Sequence, residues 1–283
     1  MTTGGPLIVR ALRVPPAIVL ARAAAELSQT QPVDFACWDS SAALADDLAA
    51  ERVDLCMAPT NLAARLYRDH RTYRVANVAM WGILHVLGRA PARGWTALGR
   101  ARLAIPLRGN MPDTIFQVLV ARQPDAPKPD IQYCASYLAA AEALARGEVD
   151  AAVLPEPIAT AAVERGAVRW LDLQVEWGRI LKSAPRYPQA VTLVHRRRAV
   201  EPLHVAVADA VAWMTGDPDA AGRLGEPLLG VAASTIAAAV RTTYWAAVPA
   251  MVARPEIEVF LRVLEGASQS LFNGPLPEAD FYA

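Results

Sequence analysis

Short apolar runs of strand length alternate along this chain with longer stretches whose apolar residues recur at helical spacing. LIVRAL at 7–12 reads as a strand, and Pro15-Pro16 then opens AIVLARAAAELSQ, since proline belongs in a first helical turn. The pattern next predicts a strand at 33–38, a helix at about 41–51, a strand at 53–58 and a helix from about 61 to 67. A long β-rich run at 73–89 ends at the Pro/Gly break APARGW, the first expected crossing between lobes. RLAIPL at 102–107, the loop RGN and a helix from near Pro112 follow, and the linker QPDAPKPD leads to a strand at 131–135. A helix at about 137–147, a strand at 149–154 and a helix from about Pro157 come next. SAPRYPQAVTLVHRR turns from loop to strand at the expected return crossing, and the remainder reads as helices at roughly 201–215, 218–228, 231–247 and 255–269. Strands alternating with helices predict an α/β fold with mostly parallel sheets flanked by helices.

Residues 34–64 and 130–160 read as one unit written twice at an ungapped offset of 96. Asp34/Asp130, Ser40/Ser136, Leu48/Leu144, Val53/Val149, Asp54/Asp150 and Pro59/Pro155 match. They fall at a strand start, a helix N-cap, a helix core, the opening of the next strand and its close. Such punctuation is also common to unrelated βαβ units, so a shared role for the two copies is one of two readings.

At 283 residues two lobes are the natural expectation. Hydrophobic residues at 54% supply a core, and 28 basic residues balance 28 acidic ones, so nothing points to nucleic acid or an anionic membrane surface. Arg196-Arg197-Arg198 follows an expected strand and reads as a solvated strand end. Cys37, Cys56 and Cys134 lie in apolar runs without metal-ligand spacing and read as buried free thiols. No signal peptide is visible, and no apolar run is long enough to span a bilayer.

Ligands of open α/β sheets bind where strands end and loops enter helices. Four such ends lie in the repeat: Ser40 and Ser41, Ser136 and Tyr137, Pro59-Thr60-Asn61 and Pro155-Glu156-Pro157. Helix N-termini there offer N–H groups and partial positive charge to a carboxylate or sulfonate, while Ser40, Ser136 and Thr60 equally suit plain N-caps. Asn110, Met111 and Asp113 follow Gly109 at a fifth junction. Trp38, Trp81 beside Gly82, and Tyr187 are candidate ligand walls or core residues. Glu156, an acid between two prolines, suits a ligand cation or ring N–H, or favours a helix dipole. The histidines His70, His85, His195 and His204 show no HxxxH or HxE spacing, and GxSxG, Walker A and GxGxxG motifs are absent in strand–loop–helix context. No catalytic set, metal or cofactor is therefore expected.

VDLCMAPTNLAARLY, AVLPEPIAT, the GNMPD junction and the terminal GPLPEADFYA together resemble the type 2 periplasmic substrate-binding proteins of ABC importers, in the nitrate/sulfonate/taurine and thiamine-precursor group. The resemblance covers nearly the whole chain. It implies two α/β lobes joined by two crossover segments, lobe one holding residues 1–88 plus 189–283 and lobe two 89–188. It also implies a monomer that captures a small organic or anionic solute in the interlobe cleft by hinge closure and delivers it to an ABC permease. The family's cleft loops map here onto Arg13 to Pro16 (Pro15 included), Asp39 to Ser41, Thr60-Asn61, Trp81-Gly82, Asn110 to Asp113, Ser136-Tyr137 and Glu156. A periplasmic location is implied by the family, and a cytoplasmic one if the visible start is native. The second reading is a cytosolic enzyme on the same scaffold, resembling menaquinone-pathway or pyrimidine-precursor enzymes.

Overall fold

A computed structural model describes residues 5–92, 94–123 and 128–283, with Ser41 described by its backbone alone. Arg93 of the APARGW break and residues 124–127 of the proline-rich linker lie outside the described residues. In chain order the elements are β1 (Leu7–Leu12), α1 (Pro16–Leu27), β2 (Val33–Trp38), α2 (Ser41–Ala49), β3 (Leu55–Pro59), α3 (Thr60–His70), β4 (Tyr73–Met80) and β5 (Leu84–Gly88). Then come β6 (Arg102–Pro106), α4 (Met111–Ala121), β7 (Asp130–Cys134), α5 (Tyr137–Arg146), β8 (Ala151–Pro155), α6 (Ile158–Glu164), β9 (Val168–Asp172) and α7 (Leu173–Leu181). The chain closes with β10 (Ala190–His195), α8 (Val200–Gly216), α9 (Pro218–Leu229), α10 (Ala233–Thr242), β11 (Trp245–Pro249) and α11 (Ala250–Ala267).

Two compact units result. The first takes the residues up to 81, then 188–261 and 274–283; the second takes 82–187 and 262–273. The first unit is built on a six-stranded sheet in the order β11-β4-β10-β3-β1-β2, with α1, α3 and α8 packed on its strands. Its buried centre includes Val9, Leu55, Val75, Val78 and Val191. The second is built on a five-stranded sheet in the order β7-β6-β8-β5-β9, with α4, α5, α6 and α7 against it. Leu87, Ala104, Ala140, Leu144, Val149 and Leu154 share one of its buried clusters.

Three expectations need correction. The sheets are mixed, because β10 and β5 each enter at the end where their neighbouring strands finish and so run antiparallel to β3 and β8. The apolar run at 73–89 is two strands of different sheets, β4 and β5, so residues 84–88 pair in the second unit's sheet and not in the first. Trp81-Gly82-Ile83 breaks the run, with Gly82 at φ +76°. The helix expected at 231–247 stops at Thr242, and Trp245–Pro249 forms β11, whose pairing with β4 overrides a sequence compatible with helix.

The repeat is real in three dimensions. β3 and β8 have identical bounds at offset 96, and α2 and α5 begin at equivalent residues. β10-β3-β1-β2 and β5-β8-β6-β7 also have the same order and the same parallel and antiparallel pairings. The matched aspartates explain part of this. Asp54 accepts the Ile8 N–H at 2.9 Å on Oδ2 while its own N–H donates to Ile8 O at 2.8 Å. Asp150 does the same with Arg102, at 2.9 Å in each direction. Each aspartate thus fixes the start of its unit's first strand against the third.

The surroundings of the two differ. Asp54 is buried and ion-paired to Arg197 and Arg198, so those arginines are structural rather than a solvated strand end, and Arg196 pairs with Asp280. Burial alone would raise the Asp54 pKa, but hydrogen bonds from Arg198, the Ile8 N–H and Arg197 outweigh it and lower it. Asp150 is held at about 2 by hydrogen bonds from Arg102. Its side chain and that of Arg102 are each 43% exposed. Removing one partner of a buried pair strands the other charge, whereas exposed pairs contribute little. Asp54→Asn is therefore expected to lower stability by about 3 kcal/mol and Asp150→Asn by about 1 kcal/mol in urea melts. Equal losses would remove the distinction.

Candidate functional site

Strand register gathers the candidate residues at one edge of each sheet. In the first unit, Leu12 pairs with Trp38, and Ala190 pairs with both Pro59 and Met80. The carboxyl ends of β1, β2, β3 and β4 therefore share an edge with the start of β10. In the second, Pro106 pairs with Cys134, Leu84 with Pro155 and His85 with Asp172, so β6, β7, β8 and β9 end where β5 begins. Loops entering helices at these edges bring N–H groups and side chains together.

At the first unit's edge, Arg13 and Asp39 are exposed and joined by an Nε–Oδ1 bond of 2.8 Å, with Pro15 preceding α1. Ser40 caps α2, its hydroxyl accepting the Ala43 N–H at 3.1 Å; the Ser41 side chain lies outside the described residues. Thr60 is buried and donates its hydroxyl to Pro188 O at 2.8 Å, with buried Asn61 beside it in the first turn of α3. Trp38 and Trp81 are interior residues. The indole N–H of Trp38 donates to Asp47 at 2.6 Å and that of Trp81 to Ala246 O at 2.9 Å. Packing and hydrogen bonding in their own unit account for both rings.

At the second unit's edge, Asn110 is exposed before α4 and Met111 half-buried. Asp113 is buried and folds back to accept the Gly109 N–H at 2.9 Å. Ser136 caps α5 through the Ala139 N–H at 3.1 Å, the counterpart of Ser40, and Tyr137 follows half-buried. Glu156 is 2% exposed. Its Oε2 accepts from the Thr160 N–H at 3.1 Å and hydroxyl at 2.7 Å, and its Oε1 accepts from Arg169. Tyr187 is fully buried, and burial pushes its pKa well above the usual range.

The chain leaves the first unit at Trp81–Gly82 and returns at Tyr187–Pro188. In the first unit Gln189 N–H donates to Met80 O at 3.0 Å. In the second, Gln174 Oε1 accepts from the Leu84 N–H at 2.8 Å and the Tyr187 hydroxyl at 3.0 Å. A Cβ on Gly82 would sit 2.1 Å from Gln174 Cγ, which explains why glycine stands there.

Two residues missed by sequence reasoning lie at this second edge. His85, on β5, is 3% exposed, with its Nε2 3.5 Å from Glu156 Oε1 and its Nδ1 3.9 Å from Asp172 Oδ2. Neither ring nitrogen makes a hydrogen bond. Burial, aided by Arg169, lowers its pKa to about 3. Asp172 caps α7, its Oδ1 accepting the N–H groups of Gln174 at 2.9 Å and Val175 at 3.0 Å, and burial raises its pKa. Their partners lie far apart in sequence, so no spacing motif could reveal them. The cysteines are free, but only Cys56 is buried; Cys37 and Cys134 are half-buried on the outer strands β2 and β7. Among the described residues no group of three or more His, Cys, Asp or Glu could hold a metal ion, and no helix is long and apolar enough to cross a membrane.

No family model matches the sequence, and no curated protein matches it. Solved structures do match. An ABC transporter from Parabacteroides distasonis is similar with a TM-score of 0.82 at 19% identity over 98% of each chain. The periplasmic aliphatic sulphonate binding protein SsuA from Escherichia coli gives 0.68 at 16% identity over 96% of this chain and 93% of its own. The desulfurization enzyme DSZB gives 0.68 at 14% identity over 98% of this chain and 96% of its own. The chain thus has the α/β fold found in ligand-binding proteins of ABC import systems, with two mixed sheets flanked by helices, and an enzyme shares that fold.

A buried neutral histidine makes stability fall with acid, because the unfolded chain takes up a proton near pH 6.5 that the folded chain refuses until about pH 3. Between those limits His85 is expected to remove up to about 1.4 kcal/mol of stability per pH unit. Urea melts of wild type and His85→Val at pH 7.5 and 5.0 check this. The wild type is expected to lose more than the variant, and parallel losses would show that the folded protein accepts the proton.

Proposed function

We propose that this chain is the solute-binding component of an ABC importer, capturing a small organic or anionic molecule at the strand-carboxyl edges and passing it to a permease in the membrane. The observation that carries this reading is the duplicated edge: in each unit the repeat delivers a serine-capped helix, α2 or α5, and exposed polar side chains to the carboxyl end of the sheet. Each edge offers its own contacts to a solute, Arg13 and Asp39 in the first unit and Asn110 and Tyr137 in the second, with Thr60-Asn61 and Glu156 shaping the loops behind them. The similarity to SsuA, a periplasmic aliphatic sulphonate binding protein, supports this reading, under which the protein works in the periplasm as a monomer and uses no metal or cofactor.

A second reading, an enzyme on the same scaffold, is favoured by the similarity to DSZB, which equals that to SsuA in TM-score at 0.68. Fold alone does not separate them.

A thermal-shift panel of sulfonates, amino acids, pyrimidines and inorganic anions tests the choice. A ligand at 100 times its Kd stabilises by about 2.7 kcal/mol, about 5–10 °C for a chain of this size. One chemical class is expected to produce such a shift and to be recovered unchanged by mass spectrometry. Conversion of the hit would establish the enzyme reading, and a flat panel would count against solute capture.

A further inference from the structure

At the carboxyl ends of the duplicated frame, charged side chains stand in the second unit at positions where the first unit carries none. Strand register and the offset of 96 fix the equivalences. Glu156 corresponds to Thr60 and Thr160 to Ala64. His85 faces Leu154 as Val191 faces Ala58, so His85 corresponds to Val191. Asp172 faces His85 as Val78 faces Val191, and Arg169 faces Leu87 as Val75 faces Leu193. Five positions that carry Glu, Thr, His, Asp and Arg in the second unit carry Thr, Ala, Val, Val and Val in the first. Those first-unit residues are all buried.

The first unit is therefore an internal control: the same strand order and pairings close around uncharged side chains. Replacing buried ion pairs with packed apolar residues is often neutral or stabilising, so the folded frame does not require these charges. The cluster also holds an unresolved demand. His85 has both ring nitrogens buried without a hydrogen bond, a costly arrangement, and one of them faces Asp172 Oδ2 at 3.9 Å.

Asp172 is divided by its position. Its Oδ1 is taken by the N–H groups of Gln174 and Val175 and by Gln174 Nε2 at 2.9 Å. Its Oδ2 makes no hydrogen bond, and the side chain is 40% exposed at the carboxyl edge. Behind it stand the His85 ring, then Glu156 with Arg169 and Thr160. Arg169 answers Glu156, so the carboxylate left without a cation is the one at the edge.

We propose that Asp172 is a ligand-binding residue of the second unit, its Oδ2 accepting a nitrogen-borne hydrogen of the solute, a protonated amine or a ring N–H, with His85 as the positioning residue behind it. This rests on the reading of the strand-carboxyl edges as the ligand site and adds to it the class of ligand. An ammonium or N–H donor meets an acceptor held by three N–H bonds and backed by a buried polar cluster, a charge-assisted contact stronger than a neutral one.

Matched pairs differing only in that group test the assignment on the full chain: 2-aminoethanesulfonate against 2-hydroxyethanesulfonate, and benzylammonium against benzyl alcohol, by calorimetry and thermal shift. In at least one pair the amine is expected to bind tenfold or more tightly. Asp172→Asn keeps a capping oxygen for α7, so its unliganded melting temperature is expected to stay within a few degrees of wild type while the amine preference falls to about twofold or less. His85→Val, built on the first unit's own solution, is expected to fold and to weaken the amine member of a pair at least fivefold while leaving its hydroxyl partner's affinity within about twofold. No amine preference in either pair, or a preference that survives Asp172→Asn, would overturn the assignment. If the hydroxyl members bind as tightly as the amines and return unchanged, the Asp172 assignment falls while solute capture stands. If an amine binds through Asp172 and is converted, the assignment stands and solute capture falls.

Discussion

The geometry of both edges depends on a two-way hydrogen bond between an aspartate and the first strand of its unit. Asp54 with Ile8, and Asp150 with Arg102, exchange backbone and side-chain bonds that fix where the first strand starts relative to the third. Register set at the amino edge is carried along the pairs Val9–Leu55 and Leu103–Ala151 to the carboxyl edge, because a one-residue slip would turn every side chain to the opposite face. The loops that carry Arg13, Ser40, Thr60, Asn110, Ser136 and Glu156 are placed by that register. In each unit an anchor at the amino edge thus decides which residues come together at the carboxyl edge of its own sheet.

Much of this frame was legible in the sequence, for a physical reason. Strand starts, serine caps and the Val-Asp step are local signals, and repetition at offset 96 doubles each of them. Ser40 and Ser136 cap their helices with the same 3.1 Å bond, and β3 and β8 end on equivalent prolines. What was not legible depends on partners distant in the chain. The run at 73–89 has no composition break between β4 and β5; only pairing with different sheets separates them. β11 follows a helix in an alanine-rich stretch and becomes a strand because β4 offers it an edge. Trp38, Trp81 and Tyr187 sit next to edge loops in sequence, yet each ring turns inward to a specific acceptor.

The candidate site shows the same division. Edge loops were visible as strand-to-helix junctions, but the roles of their residues were not. Glu156 stood out by its two prolines, and it proves to be a buried support saturated by Thr160 and Arg169. His85 and Asp172 did not stand out, since a single histidine in an apolar strand and an acid before a helix are ordinary features. Comparison of the two copies makes them informative: valines at 78 and 191 show what the frame accepts when no charge is called for. Similar proteins with this fold include a sulphonate binder and a desulfurization enzyme, so the scaffold alone does not separate one activity from another.

Hydrogen–deuterium exchange on the full chain, with and without the compound that most raises its melting temperature, locates the solute most directly. Protection is expected in segments 13–17, 39–43 and 60–62 of the first unit and 107–113, 135–139 and 172–175 of the second, the strand-carboxyl edges of both sheets. Protection confined to one unit, or appearing instead at the amino edges around Asp54 and Asp150, would contradict capture by the duplicated carboxyl edges.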